Sequence, residues 1–392
     1  MEKVRLGLIG LGNIGTSHSR FLRNGDIQRC ELVAACDIVP EKLKPFADLK
    51  TYTDSRDLIR SGEVDAVLIG TPHYDHTTIG IDALDNGLHV LVEKPISVHK
   101  AECERLIAAH ARNPRQRFAA MFQMRTEPIY QRVKKLIDDG ELGDIRRVNW
   151  IMTCWYRTEA YYASGGWRAT WKGEGGGVLL NQCPHNLDLF QWFFGMPSNV
   201  RAFCHFGKFH DIETEDEVTA YFEFPNGATG VFVTTTGEAP GTDRLEIAGD
   251  RGRLVVETGK LRFDRTEVSV SDHLKTCENG FTPPDLWHCD IPYTDTPNKG
   301  HAAIVQNFID AILDGAPLIA PAEEGLRSVE LANAMIYSTL TNDTVQFPLD
   351  GATYESCLKQ RIANSRFEKK VSERTASPDD FAQSDSAARA RG

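Results

Sequence analysis

The stretch GGGVLLNQCPHNLDL (residues 175–189) puts Asn181, His185 and Asp188 at i, i+4 and i+7, on one face of an otherwise apolar helix. Of these, His185 is the side chain able to exchange a proton near neutral pH. Taken alone, a histidine on an apolar helix reads more naturally as a satisfied core residue. Pro184 alters the geometry, because it has no N–H for the carbonyl of Leu180 and clashes with a regular helix. The helix is therefore expected to start near Pro184 or to kink there, turning His185 toward a cleft.

A second chemical signal lies near the other end of the chain. Gly10-Leu11-Gly12-Asn13-Ile14-Gly15 follows a strand-like run and opens a helical one. The G-x-G-x-x-G pattern alone is weak, but Asp37 ends the next strand about twenty residues on, the context that a dinucleotide site requires. Gly10 permits the tight turn, Gly12 lets backbone approach a pyrophosphate, and Gly15 lets helix pack on strand. The helix N-terminus then faces the phosphates. Asp37 would accept the adenosine ribose hydroxyls and repel a 2′-phosphate. Ile38 stands where an arginine would help to bind that phosphate, so NAD is expected in preference to NADP.

The elements that must position these groups fall into two textures. Through residue 125, apolar runs at 4–9, 31–37, 66–70, 89–93 and 117–121 alternate with helical stretches, one running to Leu22 and another over 77–86. That is an α/β Rossmann domain with a parallel sheet covered on both faces. From 126 a helix (129–138) leads into alternating strands at 145–153, 200–206, 217–224, 229–235, 244–248 and 253–257, with PNG and GDRG turns between them. This predicts an α+β domain with a large, mostly antiparallel open sheet. A helical pair, 302–313 and 323–339, closes it. The expected division is 1–125 for NAD, 126–350 for substrate binding and oligomerisation, and a disordered tail over 368–392.

The stretch TPHYDHTTIGIDALDNGLHVLVEKP (71–95) resembles the Gfo/Idh/MocA oxidoreductases, the family of glucose–fructose oxidoreductase and inositol dehydrogenase. Its marks are Thr71-Pro72, His76 and above all Glu93-Lys94-Pro95, continuing through 175–188 and the DRLEIAGDRG run at 243–252. The resemblance covers roughly residues 3 to 350. It implies that the glycine turn, Asp37, Thr71, Pro72, His76, Glu93 and Lys94 hold the cofactor, with a cis bond before Pro95. Lys94 and His185 would be catalytic. Lys94 follows a strand's carboxyl end, the crevice where open parallel sheets bind ligands, and would stabilise a developing alkoxide. Asn181 replaces the family's Asp; it can bind a hydroxyl but cannot take a proton. Arg125, Tyr156, Arg157, Trp167 and Arg168 resemble positions where relatives contact substrate, with Asp188 able to orient His185 or merely to pack. The same Trp- and Tyr-rich stretch would also suit an oligomer interface. Trp287, His288 and Tyr293 carry the same ambiguity.

Composition narrows the partners. Forty-four basic against fifty-five acidic side chains give −11, which argues against sequence-independent nucleic-acid binding. No run approaches a membrane span, the start MEKVRLGLIGLG does not read as a signal peptide, and a cytoplasmic location is expected. The nine cysteines are scattered without a C-x-x-C pair and read as reduced. His73 and His76, read as a loop pair, lack companions for a metal, so no metal is expected. The leading expectation is an NAD-dependent dehydrogenase of a sugar, glycoside or inositol, a homodimer or homotetramer through the C-terminal sheet. Two alternatives remain open. One is a redox glycosidase that retains NAD through oxidation at C3, elimination, hydration and re-reduction; the other is a non-catalytic sugar or NAD sensor.

Overall fold

The computed structural model describes residues 2–294, 296 and 299–372. Its first lobe runs β1 (Val4–Ile9), α1 (Asn13–Asn24), β2 (Cys30–Cys36), β3 (Lys50–Tyr52), α2 (Ser55–Ile59), β4 (Ala66–Ile69), α3 (His73–Asp85), β5 (His89–Val92), α4 (Lys100–Arg112) and β6 (Phe118–Ala120). The strands form one sheet in the order β3-β2-β1-β4-β5-β6, all pairs parallel. Every residue of β4 is buried, because helices cover both faces of such a sheet. The edge strand β3 has no buried residue, and so gives no apolar signal in the sequence. Strand order reverses between β1 and β4. Open sheets of this kind take ligands at that switch point, beyond the strands' carboxyl ends. Helix α3 starts at His73, earlier than the sequence suggests, so His73 and His76 lie in its first turn and not in a loop.

The second lobe runs α5 (Pro128–Asp138), β7 (Ile145–Met152), α6 (Glu159–Ala163), α7 (Val178–Asn181), α8 (Pro184–Phe194), β8 (Asn199–Phe206), β9 (Glu215–Glu223), β10 (Thr229–Thr235), β11 (Asp243–Gly249), β12 (Gly252–Glu257), β13 (Lys260–Thr266), α9 (Val270–Thr276) and β14 (Leu286–Asp290). Then come α10 (His301–Asp314), α11 (Ala322–Thr341), β15 (Val345–Gln346) and α12 (Gly351–Asn364). The sheet order is β14-β13-β12-β11-β7-β10-β9-β8-β15. Among the described residues only β7 and β10 pair in parallel in this sheet; the other pairs are antiparallel. Strand β9 alternates, with Val218, Ala220 and Phe222 buried and Thr219, Tyr221 and Glu223 exposed. One face is packed and the other open.

Chain order and spatial order part company after 300. Ile304, Val305, Phe308 and Ile309 of α10 join the first lobe's core, whereas Leu331 to Ile336 of α11 join the second's. The segment 126–350 is therefore not one spatial unit: an apolar helix face does not say in sequence which sheet it will cover. The expected tail also begins as structure. Ser372 N donates to Ala163 O at 2.9 Å and Lys370 pairs with Asp211 at 2.7 Å, so residues 368–372 lie along α6; residues 373–392 fall outside the described residues. Among the described residues no helix is long and apolar enough to cross a membrane.

Candidate active site

A cleft of about 1380 Å³ opens at the switch point and is lined by both lobes. At one end lies the glycine turn. Gly10 has φ +93° and a side chain there would meet the Gly70–Thr71 backbone, while one at Gly15 would strike the Gly10 carbonyl. A Cβ at Gly12 meets nothing, leaving open space over the turn. Helix α1 has no side-chain cap and no acid in its first turn, so its N-terminal dipole and N–H groups suit an anion. Asp37 lines the cleft and accepts from Leu11 N (2.8 Å) and Val39 N (2.9 Å), with Lys42 Nζ at 3.3 Å. Ile38 beside it is 84 % exposed. These residues fit a dinucleotide with an unphosphorylated ribose. Asn13, Ile14, Thr71 and Pro72 share this lining.

Beyond β5 the chain turns through Glu93-Lys94-Pro95 with a cis Lys94–Pro95 bond. Glu93 is buried and bonded to His18 Nε2 at 2.6 Å. Burial raises its pKa, but the His18 hydrogen bond and the charges of His18, His301 and Lys94 outweigh that and hold it down to about 2. His76 places Nδ1 2.8 Å from Pro95 O and Nε2 2.8 Å from Thr71 O. It braces the two loops at Thr71 and Pro95 against each other. Lys94 Nζ then crosses to the other lobe and donates to the Asn181 carbonyl at 2.9 Å.

The opposing wall is built by the glycine run. Gly177 has no room for a side chain against the Glu215 carbonyl, and Glu215 Oε1 accepts from Gly177 N (2.8 Å) and Leu179 N (3.1 Å), capping α7. Helix α7 ends at Asn181, and α8 starts with Pro184 at its first turn, where the missing N–H costs nothing. His185, one residue on, lines the cleft. Its Nε2 lies 3.1 Å from Gln123 Nε2. An amide nitrogen only donates, so this imidazole nitrogen accepts. Lys94 and His185 thus line one cleft from separate lobes.

Several expected substrate contacts lie elsewhere. Arg125 is 1 % exposed, bidentate to Asp188 (2.7 and 2.6 Å) and paired with Glu324, outside the cleft lining. Asp188 is spent on Arg125 and Gln191, not on His185. Tyr156 is half exposed and outside the lining, which takes Trp155 and Arg157 instead. The segment between β7 and α6 is irregular, its course fixed by backbone bonds from Arg157 N to Thr236 O and from His210 Nε2 to Arg157 O. Asn181 lines the cleft, but its amide donates to Glu174 and accepts from Tyr161 Oη at 3.1 Å. Trp287, His288 and Tyr293 lie on or just after β14 at the sheet's edge; His288 pairs with Asp264 and Tyr293 bonds Gly259 O. Trp167 and Arg168 line the cleft.

The sequence reading passed over Gln123, Trp155, Tyr161, Gln182 and His73 in this lining. Only Tyr161 and Trp155 carried a signal, inside the aromatic stretch 154–171. His73 is buried against the Trp167 ring, its pKa pushed well below the usual imidazole value by burial and then by the charges of His76, Lys94 and Arg168. Its Nδ1 has no hydrogen-bond partner among the described residues.

Comparison with known proteins places this geometry. The chain belongs to the GFO/IDH/MocA oxidoreductase family: residues 4–121 match its NAD-binding Rossmann-fold model and 130–255 its C-terminal domain. Inositol 2-dehydrogenase of Salmonella typhimurium is 34 % identical over 145 residues, 36 % of this chain and 43 % of that protein. The chain therefore spans less than half the length of that relative. Myo-inositol 2-dehydrogenase of Thermotoga maritima is 26 % identical over 84 % of this chain and 95 % of its own. The WlbA dehydrogenase of Chromobacterium violaceum, solved with NADH and UDP-GlcNAcA, superposes with a TM-score of 0.77 at 26 % identity, covering 89 % of this chain and 97 % of that one.

Proposed function

We propose that this protein is an NAD-dependent dehydrogenase acting on a secondary hydroxyl, or the corresponding ketone, of a sugar, glycoside or inositol. One observation carries the reading: an ammonium from the first lobe, Lys94, and an imidazole from the second, His185, line the cleft whose far end is the Gly12 turn and Asp37. Bound NAD supplies the hydride acceptor. Lys94 Nζ, held at the Asn181 carbonyl, stabilises negative charge building on the substrate oxygen. His185 Nε2, an acceptor in this structure, takes the hydroxyl proton. The inositol dehydrogenases among the relatives, and the NADH and UDP-GlcNAcA held by the WlbA dehydrogenase, support a cyclic hydroxylated substrate. The open face of the second sheet, where Phe203 and Tyr221 are exposed, is proposed to join copies of the chain.

The test is an NADH-absorbance screen across inositols, aldoses, anhydrosugars and aryl glycosides, with Lys94→Ala alongside. Turnover of at least one class, lost in the variant by roughly a hundredfold or more, is expected. Absence of NADH with every compound, or equal rates for Lys94→Ala, would end this reading.

A further inference from the structure

In the part of the cleft lining that the second lobe supplies, guanidinium groups and aromatic rings are interleaved. Arg157 Cζ lies 5.0 Å from the Tyr161 ring centroid and 5.7 Å from that of Trp155. Arg168 Cζ lies 4.7 Å from the Tyr161 ring and 4.6 Å from Trp167. Two cations are thus held within about 5 Å of one ring. Arg168 Nη1 also donates to the Tyr161 hydroxyl at 2.9 Å, and cation–π contact with two rings orients the Arg157 guanidinium.

The scaffold behind Arg157 is rigid. Its backbone N donates to Thr236 O, and its carbonyl takes a bond from His210 Nε2, both at 2.9 Å. His210 is in turn paired with Asp216 at 3.1 Å. Among the described residues Arg157 has no carboxylate partner; its guanidinium donates to the Tyr156 carbonyl at 2.9 Å. The acids near Arg157 bond other groups, and Glu174 lies within the field of Arg168. Glu159 accepts from Asp211 N, Asp216 from His210, and Glu174 from Asn181 and Ala169 N. Tyr161 links this group to the reacting end, since its hydroxyl meets Asn181 Oδ1, and the Asn181 carbonyl holds Lys94.

We propose that the substrate carries an anionic group, a carboxylate or a phosphate ester, which docks on the Arg157 guanidinium with Arg168 beside it, while the reacting hydroxyl lies at Lys94 and His185. The placing of the hydroxyl rests on the dehydrogenase reading, and the anion site rests on Arg157. A planar fork matches the paired oxygens of such a group, and charge-assisted hydrogen bonds are the strong ones.

The experiment compares matched pairs: D-glucuronate and D-galacturonate against glucose and galactose, with glucose 6-phosphate as the phosphate arm. NADH production and the thermal shift of the NADH-loaded protein are both read. In the wild type the anionic member of a pair is expected to exceed the neutral one at least tenfold in kcat/KM, the phosphate arm showing which anion fits. Arg157→Gln should lose roughly tenfold to hundredfold on the anionic compound, and at least tenfold more than on the neutral one. Arg157→Lys, with charge but no fork, should fall between. Equal or better turnover of neutral sugars, or an equal loss on both, overturns the proposal. If no compound yields NADH, the dehydrogenase reading falls, and the thermal shift decides for the anion site. A shift by the anionic compounds alone, abolished in Arg157→Gln, supports it; no shift overturns it.

Discussion

At Asn181 a single residue joins the two lobes. Its carbonyl holds Lys94 and its amide holds Glu174 and Tyr161. Glu174 is buried, and burial raises its pKa against the opposing charge of Arg168 and the bonds from Asn181 and Ala169. Asn181→Asp would set a second carboxylate against it, and two such groups share a proton before both ionise. The pair's pKa in the folded state would then exceed its unfolded value, so the folded state holds more protons and stability falls as pH rises. The melting temperature of Asn181→Asp, relative to the wild type, should therefore drop progressively from pH 5 to pH 8; a constant difference would contradict this. His185→Asn tests the proton role. Its kcat should fall by roughly 10²–10⁴-fold, while NADH binding, followed by fluorescence, persists. The residue types for these roles were legible in the sequence. Their partners were not, because a buried Arg125–Asp188 pair and a cleft arginine look alike until the fold brings the acid to one and leaves the other without it.

At the scale of elements, the site depends on how α7 begins. Gly177 lies against the Glu215 carbonyl, and the Glu215 carboxylate caps the next N–H groups. Burial pushes this carboxyl up to about 7, although the backbone N–H bonds pull it down. Because the folded pKa is raised, the linked stability is present below the unfolded pKa, near 4.5, and is lost as pH climbs toward 7. Glutamine keeps the Oε1 acceptor without the titration. Glu215→Gln should thus flatten the fall in melting temperature between pH 5 and 7, and a parallel profile would disprove the assignment. Elements were legible where period and burial agreed, as in β1, β4 and β9. They were illegible where an edge strand gains its pairing from neighbours only, as in β3, β14 and β15. Tyr156 lies outside the lining for a related reason, since the course of an irregular segment is set by its anchors at Thr236 and His210 and not by side-chain type.

For the whole molecule, the two faces of the nine-stranded sheet divide the labour. The packed face receives α8 and α11, which position His185 and close the core. The other face exposes Ile151 on β7, Phe203 on β8 and Tyr221 on β9, at 37 %, 55 % and 44 %. Strand pairing sets Ile151, Val233, Thr219 and Phe203 in one row across the sheet, with Tyr221 two residues on from Thr219, opposite Val231 and Arg201. Large apolar side chains exposed together on an open sheet, here interleaved with Thr219 and Arg201, suit an association surface, and a C₂ dimer uses the same patch twice. Since residue i on one copy then meets its symmetry mate's patch, charges placed there are felt in both copies. Phe203→Asp combined with Tyr221→Asp should convert a dimer or tetramer to monomer in sedimentation velocity at micromolar concentration. These positions lie on the face away from α7 and α8, so the monomer should still produce NADH with whichever substrate the wild type accepts. A wild-type chain that sediments as a monomer, or a double variant that keeps its partners, would remove the sheet face from the assembly and leave the cleft chemistry standing on its own.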